Sequence, residues 1–212
     1  MSTLQILGAP QSPLVWAVRM MAAEKGIDAE LVPLRPHTPE IVAIQPFGKI
    51  PAMRHGEVEL AESRAIVRYI DGLDARVKLM PEALADAARA EQWIMHFHTE
   101  YLPLMLGRYL VQYFFPPNGV PDRKAIEAAL PPMEKATAVL ERQLDGRDYL
   151  LGALSLADIF FAPLLHYVHS LPEGAGLIAA SPRVAAYVAR LSARPAFKAT
   201  LPPPLPGREA AA

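Results

Sequence analysis

Apolar residues follow two rhythms along this chain, and the change from one to the other divides it. In the first third, short apolar runs alternate with helical stretches. Thr3 to Gly8 reads as a short buried strand closing on a Gly-Ala-Pro turn. Leu14, Val15, Val18, Met21 and Ala22 then recur at helical spacing behind Ser12 as N-cap and Pro13 in the first helical position. Gly26 ends that helix, and Ala29 to Leu34 reads as a second strand before the proline-broken segment Pro36-His37-Thr38-Pro39. Two further strands, at Ala52 to Arg54 and Val58 to Leu60, and a helix from about Ser63 to Gly72 complete a β-α-β half followed by a hairpin and a helix.

Beyond a mixed-charge stretch from Leu73 to Glu82, which reads as a linker, the strand signals vanish. Ala85 to Arg108 carries Trp93, Phe97, Tyr101, Leu104 and Met105 at spacings suited to one long amphipathic helix, kinked at Pro103. Ile126, Leu130, Met133, Thr137, Leu140 and Leu144 mark another helical face. Pro131-Pro132 removes two backbone donors from it, leaving one bent helix or two. Ser155 and Asp158 form a capping box, flanked by Leu154 and Ile159 as a hydrophobic staple, and predict a helix running toward Val168. Further helices are expected from Pro182 to Leu191 and briefly after Arg194-Pro195, with an extended, mobile proline-rich tail from Leu201. The predicted fold class is α/β plus all-α, with a small α/β domain at residues 1–75 and an all-helical domain at 85–203.

The densest chemistry lies between those rhythms. Gln45-Pro46-Phe47-Gly48-Lys49-Ile50-Pro51 is a turn feeding a strand, and a proline at a strand's first residue suits a cis peptide bond. With its N–H and C=O free, Ile50 is then able to pair with an extended peptide ligand as an added strand would. Glu62-Ser63 immediately precedes Ile66, Val67, Ile70 and Leu73 and therefore sits at a helix N-terminus, where free N–H groups favour a carboxylate. The plainer reading makes Pro51 a turn proline and Ser63 an N-cap.

Together these two segments resemble the thioredoxin-like domain of the glutathione S-transferases, where Pro-Phe-Gly-Lys-(Val/Ile)-Pro and Glu-Ser-Arg-Ala-Ile hold glutathione. The Ser155-x-x-Asp158 box with its staple resembles the one that opens a buried helix in that family's C-terminal domain. The resemblance implies a cis Pro51, main-chain pairing of the cysteinyl residue with Ile50, capture of the γ-glutamyl end by Glu62 and Ser63, and Lys49 near the glycyl carboxylate. It also puts His37 near that carboxylate. Ser12 takes the place of the serine that the plant-type (phi) and related bacterial members use against the thiol. A glutathione thiol, with a free pKa of about 8.5, needs such a donor to ionise at neutral pH, and a helix N-terminus adds favourable potential. The aromatic residues Tyr101, Tyr109 and Tyr113, with Phe114 and Phe115, are either core or the wall of an apolar pocket for a second substrate.

Composition narrows the rest. Twenty-one basic residues against 22 acidic ones leave a net charge of −1, with no field to draw in nucleic acid or an anionic membrane. No stretch reaches membrane-span length and no secretory leader is evident, so a cytoplasmic protein is expected. The absence of cysteine excludes a protein thiol as nucleophile, disulfide exchange and thiolate metal sites. No metal or cofactor is expected, with glutathione as co-substrate. The function expected is a homodimeric glutathione transferase of the detoxification type acting on a hydrophobic electrophile. The alternatives are a non-catalytic scaffold that binds glutathione or apolar ligands, or a glutathione-dependent peroxidase, isomerase or dehalogenase.

Overall fold

A computed structural model describes residues 2–74, 76–116 and 119–204. The chain forms two compact units, Met1–Met80 with Ala193–Ala212, and Pro81–Ser192.

In the first unit, β1 (Leu4–Leu7), α1 (Pro13–Glu24) and β2 (Ala29–Val32) form a parallel β-α-β unit. After α2 (Pro39–Ile44) come the antiparallel strands β3 (Ala52–His55) and β4 (Val58–Ala61), then α3 (Ser63–Leu73). The sheet order is β2-β1-β3-β4, with Ile6 opposite Met53 across the antiparallel β1/β3 pair. Alternation along β1 sends Leu4 and Ile6 to one face and Leu7 to the other, where it packs with Ile41 and Ala52. Helix α2 has no counterpart in the sequence reading. It is only six residues long, too short for periodicity to show, and is anchored by Ile41 alone among its fully buried side chains.

The stretch after α3 is not a free linker. The buried Lys25 ammonium at the end of α1 donates to the Asp71 carbonyl (2.8 Å) and also to the carbonyls of Asp74 and Val77. The Asp71 carboxylate accepts from the N–H groups of Leu79 (2.9 Å) and Met80 (3.1 Å). Lys25 and Asp71 thereby pin the exit of the chain onto the first unit, and the buried charges are satisfied as burial requires.

In the second unit α4 (Leu84–His96) continues into a wider, π-wound stretch, Phe97–Leu110, and ends in α5 (Val111–Phe114). Pro103 lies inside the wide stretch and has no N–H to give to a regular turn, so the expected kink is spread over several wider turns. Helix α6 runs unbroken over Arg123–Gln143 despite Pro131 and Pro132. The carbonyls those prolines cannot serve belong to Glu127 and Ala128, both exposed residues, so no buried acceptor is stranded. Helix α7 (Leu156–His169) is buried all round from Leu156 to Leu165, as a central helix must be. It is followed by α8 (Pro172–Ala179) and α9 (Pro182–Ala193).

Helix α8 was not predicted, because Gly174 and Gly176 dilute its helical signal. Gly174 is required there: a β-carbon on it would stand 2.0 Å from the Val168 carbonyl oxygen. Whereas the sequence reading carried the helical domain to residue 203, the chain from Ala193 through α10 (Pro195–Ala199) rejoins the first unit. Of the extended tail expected from Leu201, residues 201–204 have no regular structure and the rest lie outside the described residues. Among the described residues no helix is long and apolar enough to cross a membrane.

Candidate active site

The site is built where β1 stops. Gly8 donates its N–H to the Val32 carbonyl (3.0 Å), and Ser12 N–H closes the following turn on the Ala9 carbonyl (3.0 Å). Ser12 is extended (φ −65°, ψ 126°) and caps α1: its Oγ accepts from Val15 N–H at 3.4 Å and its carbonyl from Trp16 N–H at 2.9 Å. Pro13 follows in the first helical position. The Oγ bond is long, and the hydroxyl's own proton is not used in it. Ser12 is therefore a half-buried donor at the positive end of a twelve-residue helix.

Ile50–Pro51 is a cis peptide bond, as the sequence reading expected, with Pro51 buried directly before β3. Gly8 brings this segment against the start of α1. It has φ +153°, and a β-carbon there would fall 2.5 Å from Val15 Cγ2 and 3.1 Å from Ile50 Cβ.

The turn leading into Ile50 is wound around the buried amide of Gln45. Its Oε1 accepts from Phe47 N–H (2.6 Å) and Lys49 N–H (3.4 Å), while Gly48 N–H bonds the Gln45 carbonyl (2.8 Å). His37 packs on this turn, donating its N–H to the Gly48 carbonyl (2.8 Å). A β-carbon on Gly48, at φ +68°, would overlap the His37 ring at 2.1 Å. Lys49 is exposed beside it.

Gln45 also reaches the helix α3 segment, its Nε2 donating to Glu62 Oε1 at 3.0 Å. Glu62 adopts φ +66° and ψ 113°, an uncommon backbone for a residue with a side chain, and its carbonyl accepts from Ile66 N–H (3.0 Å). Glu62, not Ser63, is thus the N-cap; Ser63 is the first helical residue and is 4% exposed. The plainer reading of Ser63 as a cap does not hold. His37, Lys49, Ile50, Pro51, Glu62 and Ser63 are gathered by Gln45 and Gly48, with Ser12 joined to them through Gly8. Sequence reasoning misses the parts of Gln45 and Gly8, because neither a side-chain amide bridging 17 positions nor a close approach of a glycine to a distant segment leaves a periodic trace.

The aromatic residues of the second unit do not share one environment. Tyr109 is fully buried, its hydroxyl donating to Glu173 Oε2 (3.0 Å) and accepting from Gly174 N–H (3.0 Å). Tyr101 is 3% exposed and donates to the Ala136 carbonyl (3.0 Å). Burial raises both phenols above their ordinary pKa. Of the two readings open for them, core or pocket wall, Tyr109 is a core residue, and Tyr101 is largely core with its hydroxyl used internally while its ring borders a surface cavity with Pro103, Leu104 and Pro132. Tyr113 is half-buried and donates to Glu173 Oε2 at 2.6 Å, where Arg123 also pairs with Oε1 at 2.7 Å. The partly exposed pair Phe114 and Tyr167, with ring centroids 5.0 Å apart, is the other aromatic feature of this end. Among the described residues no three His, Asp or Glu side chains group closely enough to share a metal ion.

Two family models match the chain: glutathione S-transferase, N-terminal domain, over residues 2–72, and glutathione S-transferase, C-terminal domain, over residues 123–190. Glutathione S-transferase 3 of Zea mays is 38% identical over 221 residues, covering 96% of this chain and 98% of the relative. Glutathione transferase F7 from Populus trichocarpa has a TM-score of 0.85 at 31% identity, covering 93% of this chain and 97% of that one. Glutathione S-transferase I from maize, solved with an atrazine glutathione conjugate, has a TM-score of 0.85 at 29% identity, covering 94% and 96%. With its cis prolyl turn, its Glu62-Ser63 helix start and relatives matched over nearly their full length, this chain belongs to the glutathione S-transferase family.

Proposed function

We propose that the first unit binds glutathione, ionises its thiol against Ser12 and delivers the thiolate to an electrophilic carbon of an apolar substrate. The observation that carries this reading is the position of Ser12: a half-buried hydroxyl at a helix N-terminus, joined through Gly8 to the Ile50–Pro51 segment that would hold the tripeptide. In the proposed complex the cysteinyl main chain pairs with Ile50. The γ-glutamyl carboxylate meets Ser63 and the free N–H groups of α3, and Glu62 faces the γ-glutamyl ammonium. His37 and Lys49 serve the glycyl carboxylate.

A hydroxyl donating to sulfur stabilises the anion by about 1.5–3 kcal/mol, which lowers the thiol pKa by roughly one to two units. The thiol proton leaves to solvent. The sulfur lone pair then forms the S–C bond while the leaving group departs with its bonding electrons. The maize relative solved with an atrazine glutathione conjugate supports substitution of this kind. Within the second unit, Tyr113, Phe114 and Tyr167 are partly exposed aromatic side chains against which an apolar molecule would stack.

The proposed assembly is a homodimer in the cytoplasm. Phe47, 74% exposed on the turn held by Gln45, is an apolar anchor suited to such an interface. The test is to compare the native chain with Ser12→Ala for retention on immobilised glutathione and for conjugation of an activated aryl halide. Retention by both with a loss of turnover of about 100-fold in the variant supports the proposal. Retention without turnover by the native chain makes it a binding scaffold.

A further inference from the structure

Helix α1, which presents Ser12, is gripped along its whole length by the last described part of the chain. At its far end Glu24 receives a bidentate pair from Arg194, with Nε to Oε1 at 2.5 Å and Nη2 to Oε2 at 2.7 Å. In the middle, Arg19 Nη1 donates to the Thr200 carbonyl (2.9 Å). One turn nearer Ser12, Trp16 Nε1 donates to Thr200 Oγ1 (3.0 Å), and its ring lies 4.7 Å from that of Phe197, tilted by 41°. Just before the helix, Gln11 Nε2 reaches the Pro203 carbonyl at 3.4 Å. The contacts run 24, 19, 16, 11 along the helix against 194, 200, 200, 203 along the tail, so the segment lies antiparallel to α1 from its last residue to the one before its cap.

Thr200 is the hinge of this arrangement. It is 7% exposed, and its hydroxyl donates to the Ala196 carbonyl (2.7 Å), which leaves its lone pairs for the indole. Trp16 is fully buried and tied in two directions, through its indole to Thr200 and through its main-chain N–H to the carbonyl of Ser12 (2.9 Å). A buried indole N–H deprived of its acceptor costs free energy that a small rotation of the ring would relieve. Fully buried and packed against Phe197, the ring has no empty space to turn into, so relief is shared with the turn of α1 that carries it, the turn whose first bond runs from Trp16 N–H to the Ser12 carbonyl.

We propose that Thr200 is a positioning residue for Ser12: the tail holds Trp16, and through it the capping turn, so that the Ser12 hydroxyl faces the glutathione sulfur. The inference rests on Ser12 being the thiol's donor, as proposed above. It gives the C-terminal segment a part in thiol ionisation, although 188 positions separate Thr200 from Ser12 (200 minus 12).

The test measures the apparent pKa of the thiol of enzyme-bound glutathione, from thiolate absorbance against pH, in the full-length chain and in Thr200→Val, Thr200→Ser, Trp16→Phe and Ser12→Ala. Thr200→Val keeps the side-chain shape and removes the acceptor. It is expected to raise the bound thiol's pKa by about half a unit and to lower kcat/KM below that pKa about threefold, with the KM for glutathione changed less than about twofold. Thr200→Ser, which keeps the hydroxyl, is expected to restore the native values. Trp16→Phe removes the donor instead and is expected to reproduce the Thr200→Val shift even where the valine variant folds poorly. If Ser12→Ala leaves the bound thiol's pKa unchanged, the reading of Ser12 itself fails. If Ser12→Ala raises it while Thr200→Val and Trp16→Phe do not, Ser12 stands, the tail is a stabilising clamp only, and the proposal is overturned.

Discussion

Gln45 donates from Nε2 to Glu62 Oε1 at 3.0 Å while its Oε1 accepts from the N–H of Phe47 at 2.6 Å. One buried amide thereby fixes both the turn before Ile50 and the left-handed residue that starts α3. Replacing Gln45 by Ala leaves the Phe47 N–H without its partner and frees Glu62 from its φ +66° backbone. The expected cost is about 2 kcal/mol in stability, with affinity for glutathione lowered on the order of tenfold, roughly one hydrogen bond to a charged group. Urea unfolding with glutathione titration checks it. A loss of stability with unchanged affinity would show that Gln45 serves the fold alone.

Asp158 is buried at the start of α7 and its carboxylate accepts from Leu150 N–H (3.0 Å), Ser155 N–H (2.8 Å), Ser155 Oγ (2.7 Å) and Tyr187 Oη (2.7 Å). Desolvation nevertheless holds its pKa above the ordinary value. Asp158→Ala strands these donors in the core and is expected to cost about 3–5 kcal/mol, with Asp158→Asn milder. Thermal melting of both variants measures the difference.

How much of this was legible in the sequence follows from the range of each interaction. The Ser155-x-x-Asp158 box closes over three residues and was read directly, whereas its partners Leu150 and Tyr187 were not, since no local pattern joins them. The prolyl turn and the Glu62-Ser63 helix start were visible because turn chemistry and helix starts are short-range signals. The bridge between them through Gln45 was not. Aromatic spacing along the second unit marked a helical face but could not tell a buried tyrosine such as Tyr109 from a pocket wall, because both obey the same periodicity. Helix α6 closes a point the sequence leaves open: Pro131-Pro132 allows one bent helix or two, and with Glu127 and Ala128 exposed the helix runs on as one.

The Glu173 carboxylate predicts an acid limb. Burial would raise its pKa, but hydrogen bonds from Tyr113, its own backbone, Arg123 and Tyr109 outweigh this and hold it at about 2, against an ordinary value of 4.5. A depressed folded-state pKa contributes stability that is present in full above the unfolded value and is lost as pH falls through the folded one. The contribution therefore disappears between pH 4.5 and about 2. Glu173→Gln is expected to flatten the fall in melting temperature across that window while lowering stability at neutral pH. An unchanged slope would mean that other carboxylates govern acid unfolding.

Gly8 offers the sharpest test of the site's assembly. A methyl group added there meets Val15 Cγ2 at 2.5 Å and Ile50 Cβ at 3.1 Å, and φ +153° is itself unfavourable for a residue with a side chain. Neither contact is with the far end of a flexible chain: Val15 is buried in α1 and Ile50 Cβ is fixed to the main chain. Relief requires the start of α1 and the Ile50 segment to separate, which moves Ser12 away from where the tripeptide would lie. Gly8→Ala is expected to lower kcat/KM at least about tenfold, since displacements near 1 Å at a reacting centre cost that much or more. It should also lower stability by about 2–3 kcal/mol. A variant that loses stability but retains turnover when assayed well below its melting temperature would show that Ser12 and Ile50 do not act on the same bound molecule.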